Sequence, residues 1–311
     1  TGQSPFAYLC FSRSQALSPT GRSMSFDQQA DGIAISEGLG VVVMKRLHDA
    51  LRDGDDIIAV IDGVGAASDG RGSSLTSPQS TGQQLAVERA WQSAGFPPSW
   101  MSLYEAHGTG TVAGDRTEIE TVLAITQRHA ASPQSCAVSS TKPNIGHTKS
   151  SAGIAGLMHA ALCIHHRVLS PQIGASTPLK QLQDPSSPIF LNRQASFWPT
   201  TVHGRKAGVS AFGFGGTNYH IVLSEPPEPS RYIRAWPKSS HYLFIWHSND
   251  GADLKAQIER FVQDINLHPE FSLHMLSFHH WRQAEYQPNS YRSAFRASVV
   301  TSSREQLLTR L

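Results

Sequence analysis

Cysteine is scarce: Cys10, Cys136 and Cys163 are the only three among 311 residues, odd in number and irregularly spaced. Without a CxxC pair they exclude a disulfide-stapled framework and a zinc ribbon, and they point to a reducing compartment. Long apolar runs are also missing. The longest, Gly153 to Ile164, is about half of the roughly 20 residues a bilayer requires, and His159 interrupts it. It reads as a buried helix, so no membrane span is expected. Charge of one sign is lacking too, with a net +2 and no dense Lys/Arg cluster, which excludes nucleic acid and anionic membranes as partners. The opening Thr1-Gly2-Gln3-Ser4-Pro5 has neither the basic start nor the apolar core of a signal peptide. A cytoplasmic location is expected, for a chain that reads as cut from something larger.

What is present is 39% apolar residues with 25 Gly and 18 Pro, the make-up of a globular α/β protein with many turns. The length fits one or two domains. Buried strands are predicted at Gly40 to Lys45 and Ile57 to Val64, where β-branched runs are bounded by Gly and Asp, with a short helix from Leu47 to Gly54 between them. A helix over Ser80 to Gly95 follows, stopped by Gly95 and Pro97-Pro98.

Then one arrangement occurs twice. Strand Met101 to Ala106 leads into Glu105-Ala106-His107-Gly108-Thr109-Gly110-Thr111, and a helix from about Asp115 to Arg128 begins with Asp115 and Glu118 spaced as in a capping box. Strand Cys136 to Ser140 leads into Ser140-Thr141-Lys142-Pro143-Asn144-Ile145-Gly146-His147, followed by a helix from about Ser151 to His166. Each turn presents one imidazole among small residues at a strand end, which favours an α/β sheet whose strand ends converge on one site.

A third glycine-rich segment, Ala207 to Leu223, reads as strand, tight turn, strand, with Gly213-Phe214-Gly215-Gly216 at the turn. Pro226-Pro227-Glu228-Pro229-Ser230 is a linker signal. Beyond it lie an expected strand (Tyr242 to Trp246), helices (Ala252 to Ile265, Leu273 to Ala284), a strand (Tyr291 to Val300) and a last helix (Arg304 to Leu311). Residues 1–226 and 227–311 are thus read as two domains, the second without assignable chemistry. Fifteen histidines raise the question of a metal, but the adjacent pairs His165-His166 and His279-His280 would point about 100° apart on a helix, and no carboxylate stands at ligand spacing. No metal site is expected.

These segments resemble the β-ketoacyl synthase (ketosynthase) domains of the thiolase superfamily, found in polyketide and fatty acid synthases. The matching residues are Leu17-Ser18-Pro19-Thr20-Gly21-Arg22, Phe26-Asp27 with Ala30-Asp31-Gly32, Ser36-Glu37-Gly38, Glu105 to Thr111 with Gly114-Asp115, Ser140 to His147, and Gly213 to Asn218. They run in colinear order over residues 1 to about 225. More narrowly, Ser68-Asp69-Gly70-Arg71-Gly72, His147-Thr148-Lys149 and His165 to Leu169 look most like synthases of polyunsaturated fatty acids or enediyne polyenes. The tail resembles the linker joining a ketosynthase to the acyltransferase that follows it.

The resemblance implies a thiolase-like layered α/β/α/β/α fold, present as its C-terminal half with part of the N-terminal half and followed by a small α/β linker domain. It implies decarboxylative Claisen condensation of a malonyl unit, carried on the phosphopantetheine of an acyl carrier protein, with an enzyme-bound acyl thioester. No cofactor is bound directly. His107 and His147 would stabilise the enolate oxygen, and Lys142 would lie buried beside them, paired with Glu105 or Glu118, because Lys149 stands where many relatives carry an acidic residue. Thr109 and Thr111 would bond the pantetheine amides. Phe212 would line the site, and Phe214 with the amides of Gly215 and Gly216 would form a gate and an acyl oxyanion hole, braced by Asn218. Asp31, Glu37 and Asp115 would be structural.

The family nucleophile is a cysteine in a Thr-Ala-Cys-Ser-Ser-Ser type segment, and none of the three cysteines has that context. In relatives it precedes the part that matches here, so the chain is expected to lack its nucleophile. The implied partners are the carrier protein, the following acyltransferase and a second copy of the full-length protein. The alternative is a non-condensing partner of the chain-length-factor kind; such partners usually lose the two histidines that this chain keeps.

Overall fold

The computed structural model describes residues 2–70, 77–227, 240–267, 271–277, 280 and 293–311. Arg71 and Gly72, Glu228 to Ser230 of the expected linker, His279, and residues 281–284 and 291–292 of the expected tail elements lie outside them. The chain forms two compact units, Thr1–Ile233 and Arg234–Leu311.

The first unit is built on a six-stranded sheet. Its strands are β1 (Val60–Ser68), β2 (Leu103–Glu105), β3 (Cys136–Ser139), β5 (Ile189–Leu191), β7 (Lys206–Phe212) and β8 (Thr217–Ser224), while β4 (Val168–Leu169) and β6 (Ser196–Phe197) pair separately. The spatial order is β1-β8-β7-β2-β3-β5. β7, β2, β3 and β5 run parallel, and β8 is antiparallel to both of its neighbours.

Side-chain alternation with period two divides the core between the two faces. Tyr104, Cys136, Val138 and Val222 pack with Trp91 of α3 (Ser80–Ala94) and with Ile119, Val122 and Ile125 of α4 (Val112–Arg128). Their neighbours Leu103, Ala137 and Leu223 pack with Leu157, Ala160 and Ile164 of α6 (Ala152–His166). Both faces are therefore covered, the arrangement that parallel strands require. The remaining helices of this unit are α1 (Pro5–Arg13), α2 (Leu47–Asp53) and α5 (Lys142–Ile145). Gly54 and Gly95 end α2 and α3 in left-handed conformation, as their position after each amphipathic run suggested.

Three expectations are corrected. The first strand begins at Val60 and not Ile57, and extends to Ser68 because its register with β8 continues to Thr217. Its Gly63 and Gly65 admit α3 at close range, since added Cβ atoms would sit 2.3 Å from the Ala90 carbonyl and 2.1 Å from that of Ala86. The predicted strand Gly40 to Lys45 is irregular, with no ladder partner among the described residues. Its inner face packs normally, with Val42 on the α6 core, whereas Leu39, Val41 and Val43 are 89%, 74% and 97% exposed. The helix expected from Asp115 begins at Val112, capped by Thr111, whose Oγ1 accepts from the Gly114 amide at 3.2 Å.

The second unit pairs β9 (Tyr242–Ser248) with β10 (Phe295–Thr301) antiparallel, with α7 (Gly251–Leu267) and the terminal helix Arg304–Arg310. Its core is Phe244, Trp246, Ile265, Leu276 and Leu307. Among the described residues no helix is long and apolar enough to cross a membrane, and no three His, Cys, Asp or Glu are grouped to hold a metal ion.

Candidate active site

β2 and β3 are adjacent and parallel, so the turns that leave their C-terminal ends emerge side by side. His107 follows the end of β2 by two residues, and Thr141 to His147 follow β3 through α5. Gly108 and Gly146 allow the close approach. Gly108 has φ +44°, and a Cβ there would lie 2.8 Å from Ser140 Cβ and 2.9 Å from Phe26 Cζ. Gly146 has φ +75°, with Ser36 Cβ 2.7 Å from the same construction. His147 is pinned from the other side: its amide donates to the Ala34 carbonyl at 2.7 Å, and its carbonyl accepts from the Ser36 amide at 3.0 Å.

The two imidazoles share one space. Their ring centroids are 5.3 Å apart with planes at 83°, and Phe212 lies 6.2 Å from His107. Burial holds the His107 pKa well below its ordinary value, with the positive charge of Lys142 adding to the effect. Burial and the charges of Lys142 and Lys149 push His147 down to about 3. Both rings are neutral at neutral pH. His147 Nδ1 accepts the Lys149 amide at 3.0 Å, so the proton of the neutral ring is on Nε2. Nδ1 of His107 is buried without a partner.

Behind the histidines lie four charged groups. Asp115 and Glu118 do not form the expected capping box. They face inward and bind the preceding turn, which exposes its own amides. Asp115 accepts from the Phe26 amide at 2.7 Å and Gly110 at 3.1 Å, and Glu118 accepts from the amides of His107 and Gly108 at 2.7 Å each. Burial pushes the Asp115 pKa up to about 7 and raises that of Glu118, against these bonds and Lys142.

Lys142 is buried, as expected, but its bonded partner is neither Glu105 nor Glu118. Nζ donates to the His107 carbonyl, while Glu118, Glu105 and Asp115 act on it through charge. Burial lowers its pKa and the three carboxylates oppose that shift. Glu105 is occupied elsewhere, accepting from Ser139 Oγ at 2.6 Å and the Thr141 amide at 2.9 Å, with His159 Nδ1 at 2.8 Å. Neither Ser139 nor His159 stands out in the sequence as a site residue; His159 shows there only as a break in an apolar run.

The glycine-rich segment is the β7–β8 hairpin. Asn218 braces it through a 2.6 Å bond from Nδ2 to Asp69 Oδ1. The pair of free turn amides is corrected to one: the Gly216 amide donates to the Gly213 carbonyl at 2.9 Å inside the turn. For the Gly215 amide no bond is found among the described residues. Phe214 is 52% exposed and its ring lies 6.1 Å from that of Phe11. Thr109 and Thr111 sit with their hydroxyl oxygens 2.9 Å apart. Their mutual bond uses one hydroxyl proton, leaving the other for an acceptor. Asp31 and Glu37 bond Thr20 and the Gln3 amide, at 2.8 Å each.

None of the cysteines bonds His107 or His147, although Cys163 Sγ lies 3.6 Å from Nε2 of His159, the partner of Glu105. Cys10 is exposed on α1, Cys136 is buried in β3 with its thiol pKa pushed up by burial, and Cys163 is buried in α6.

The β-ketoacyl synthase N-terminal domain model matches residues 2–50, the C-terminal domain model residues 58–176, and the ketoacyl-synthetase C-terminal extension residues 193–293. Polyketide synthase PksL of Bacillus subtilis is 33% identical over 308 residues, covering 99% of this chain and 7% of that protein. A phenolphthiocerol/phthiocerol polyketide synthase of Mycobacterium bovis is 40% identical over 225 residues, covering 72% of this chain and 12% of the relative. The solved ketosynthase from module 6 of the bacillaene synthase of Bacillus subtilis superposes with a TM-score of 0.68 at 31% identity, over 99% of this chain and 52% of that one. The oxazolomycin ketosynthase domain of Streptomyces albus gives 0.68 at 28%, with 98% and 52% covered. The chain thus spans about half the length of these ketosynthases and a small part of the whole synthases, and it shares their thiolase-like fold. With three family models in order and the two histidine turns inside the second, the chain belongs to the β-ketoacyl synthase family, among the ketosynthase domains of type I polyketide synthases.

Proposed function

We propose that the chain carries the decarboxylating half of a β-ketoacyl synthase site, acting on a malonyl thioester held on the phosphopantetheine of an acyl carrier protein. The observation that carries the reading is the His107–His147 pair, two neutral imidazoles 5.3 Å apart with the proton of one fixed on Nε2. Loss of carbon dioxide leaves the bonding electrons of the breaking C–C bond as an enolate, with negative charge on the thioester oxygen. Two N–H donors aimed at that oxygen would contribute roughly 3 kcal/mol each. His147 has the required proton on Nε2, and because Nδ1 of His107 has no partner, no bond there fixes which nitrogen of that ring carries its proton.

In this reading burial keeps both rings neutral, and Lys142, the buried cation, adds to that through its charge while holding the His107 carbonyl. The spare hydroxyl proton of Thr109 and Thr111 bonds a pantetheine amide carbonyl, Phe212 packs beside His107, Phe214 gates the approach, and the Gly215 amide serves the acyl oxygen. The enolate carbon then attacks an acyl thioester, forming the C–C bond and expelling the thiolate. That thiol comes from none of Cys10, Cys136 and Cys163, since none adjoins the histidines; another segment supplies it. The chain by itself therefore decarboxylates but does not condense. The partners are the carrier protein, an acyltransferase in the same polypeptide and a second copy of the synthase, in the cytoplasm. The chain-length-factor reading is favoured by the lack of a thiol beside the pair and opposed by the retention of both histidines.

The test is release of labelled carbon dioxide from a malonyl carrier by the complete protein. His107→Ala and His147→Ala each abolish it; unchanged release in both variants overturns the assignment.

A further inference from the structure

A row of buried polar side chains crosses the sheet to the His107 turn. Trp91, His220 and Tyr104 are fully buried, and Glu118 and Ser210 are 2% and 4% exposed. Trp91 Nε1 is 3.2 Å from His220 Nε2, His220 Nδ1 is 2.9 Å from Ser210 Oγ, Ser210 Oγ is 2.9 Å from the Tyr104 hydroxyl, and that hydroxyl is 3.1 Å from Glu118 Oε1. Glu118 then holds the amides of His107 and Gly108. Three adjacent strands supply the middle members: Ser210 of β7 is the direct cross-strand partner of His220 of β8, and β2 beside β7 carries Tyr104. Room for the imidazole is made at Gly208, where a Cβ would lie 2.6 Å from His220 Nε2.

The chemistry of the two ends fixes every proton between them. The indole N–H of Trp91 only donates, so His220 Nε2 accepts and the ring proton is on Nδ1. Burial drives the His220 pKa down to about 3, so the ring carries that one proton only. Nδ1–H donates to Ser210, whose hydroxyl donates to Tyr104, whose hydroxyl donates to Glu118. No member is left unsatisfied, and no bond can reverse while the indole stays in place. Packing alone does not require this. Apolar side chains of similar volume would fill the same core without the cost of burying four polar groups.

We propose that Trp91, His220, Ser210 and Tyr104 form a one-directional hydrogen-bond relay that positions Glu118 and, through it, the His107–Gly108 turn. They are positioning residues. The inference rests on the proposed role of His107. With the Tyr104 hydroxyl removed, Glu118 keeps its backbone bonds but loses the side-chain bond that fixes its angle; with Ser210 removed, the Tyr104 hydroxyl loses the donor that directs its own proton at Glu118, and in either case His107 shifts relative to His147.

The test has two arms on the complete protein. In the first, kcat and KM for carbon dioxide release from a malonyl carrier are measured for Tyr104→Phe, Ser210→Ala and Ser210→Thr. Expected is a loss of about 10- to 100-fold in kcat with KM unchanged for Tyr104→Phe and Ser210→Ala, up to the order that a displacement of about 1 Å produces, with recovery in Ser210→Thr. In the second, 15N shifts of His220 report its tautomer, expected as Nδ1–H in the parent and mixed in Trp91→Phe. Unchanged kcat in Tyr104→Phe and Ser210→Ala, failure of Ser210→Thr to recover, or an Nε2–H tautomer in the parent overturns the relay. If Tyr104→Phe does not fold, the Ser210 pair and the tautomer decide. Should His107→Ala retain activity while His220 is Nδ1–H, it is the role of His107 that fails and the relay that stands.

Discussion

The backbone amide of Lys149 donates to Nδ1 of His147 across two residues, at 3.0 Å, because Thr148 at φ −75°, ψ 15° turns that peptide back toward the ring; Lys149 itself then has a left-handed backbone at φ +59°. Lys149 thus contributes its main chain to the site, while its Nζ ties down the Ser36 carbonyl at 2.8 Å. Lys149→Pro removes the N–H and cannot adopt positive φ; Lys149→Asn keeps the N–H and tolerates that conformation. Carbon dioxide release should therefore be at least about 10-fold lower in Lys149→Pro than in Lys149→Asn, the scale of a mispositioned catalytic group. Equal rates in the two would show that the amide does not orient His147.

The neutral pair predicts a pH profile. Folded His147 titrates at about 3 and His107 well below its usual value, so neither ring gains a proton as the pH falls through about 6.5. The rate of decarboxylation should show no acid limb from these groups between pH 8 and 5. The linked stability term follows in sign: the unfolded chain takes up these protons below about 6.5 and the folded one does not, so their contribution is present above that pH and lost as pH falls toward 3. A rate inflection near 6.5 in the parent, matched by a 15N titration of the His147 ring at that pH, would contradict the neutral pair.

Much of the site was legible in sequence because its parts are local. A glycine flanking a histidine at a strand end says that the ring is presented, and the parallel β2–β3 pairing then brings His107 to His147 with no further information needed. What was not legible depends on partners distant in the chain. Asp115 and Glu118 have the spacing of a helix cap, yet the cap is Thr111, and the carboxylates serve amides of the turn before it. His220 sits in an ordinary alternating strand, and nothing local marks its bonds to Trp91 and Ser210. The run at Gly40 to Lys45 has strand composition, but a strand also needs a neighbour.

Glu105 and His159 give a stability dependence of the opposite sign. Burial lowers the His159 pKa, but its hydrogen bonds to Cys163 and Glu105 outweigh that and raise it to about 10. Its contribution is complete below about 6.5 and is lost as pH rises toward 10. Melting temperature should fall over that interval in the parent and fall less in His159→Gln. Parallel curves for parent and variant would mean that the imidazolium–carboxylate pair does not form.

The outward row Leu39, Val41 and Val43 is an exposed apolar stripe on a segment with no strand partner among the described residues, the kind of surface that associates with other chains. Changing all three to Thr keeps β propensity and removes apolar surface without touching Val42 or Gly40. The triple variant of this chain should scatter less light at a given concentration, with its melting temperature within a few degrees of the parent. Scattering as strong as the parent's would place the sticky surface elsewhere.

Gly108 is where fold and chemistry meet most tightly. Its φ of +44° disfavours any L side chain, and an alanine Cβ would have Ser140 Cβ at 2.8 Å and Phe26 Cζ at 2.9 Å, both on fully packed neighbours. Ser25 Oγ bonds the Gly108 carbonyl at 2.6 Å and Glu118 bonds its amide at 2.7 Å, so the peptide cannot turn to relieve the clash without breaking a buried bond. Left-handed strain of about 1–2 kcal/mol and overpacking of about 1–3 kcal/mol add, so Gly108→Ala should cost roughly 2–5 kcal/mol by denaturant titration. His107 is the preceding residue and shares Glu118, so carbon dioxide release should fall even at temperatures where the variant is fully folded. Gly110→Ala is the comparison. It also has positive φ, but a Cβ there would come no closer than 3.0 Å, to the Gly32 carbonyl oxygen, so its loss should be the smaller of the two. The reverse order would show that the crowding at Ser140 and Phe26 does not govern this turn.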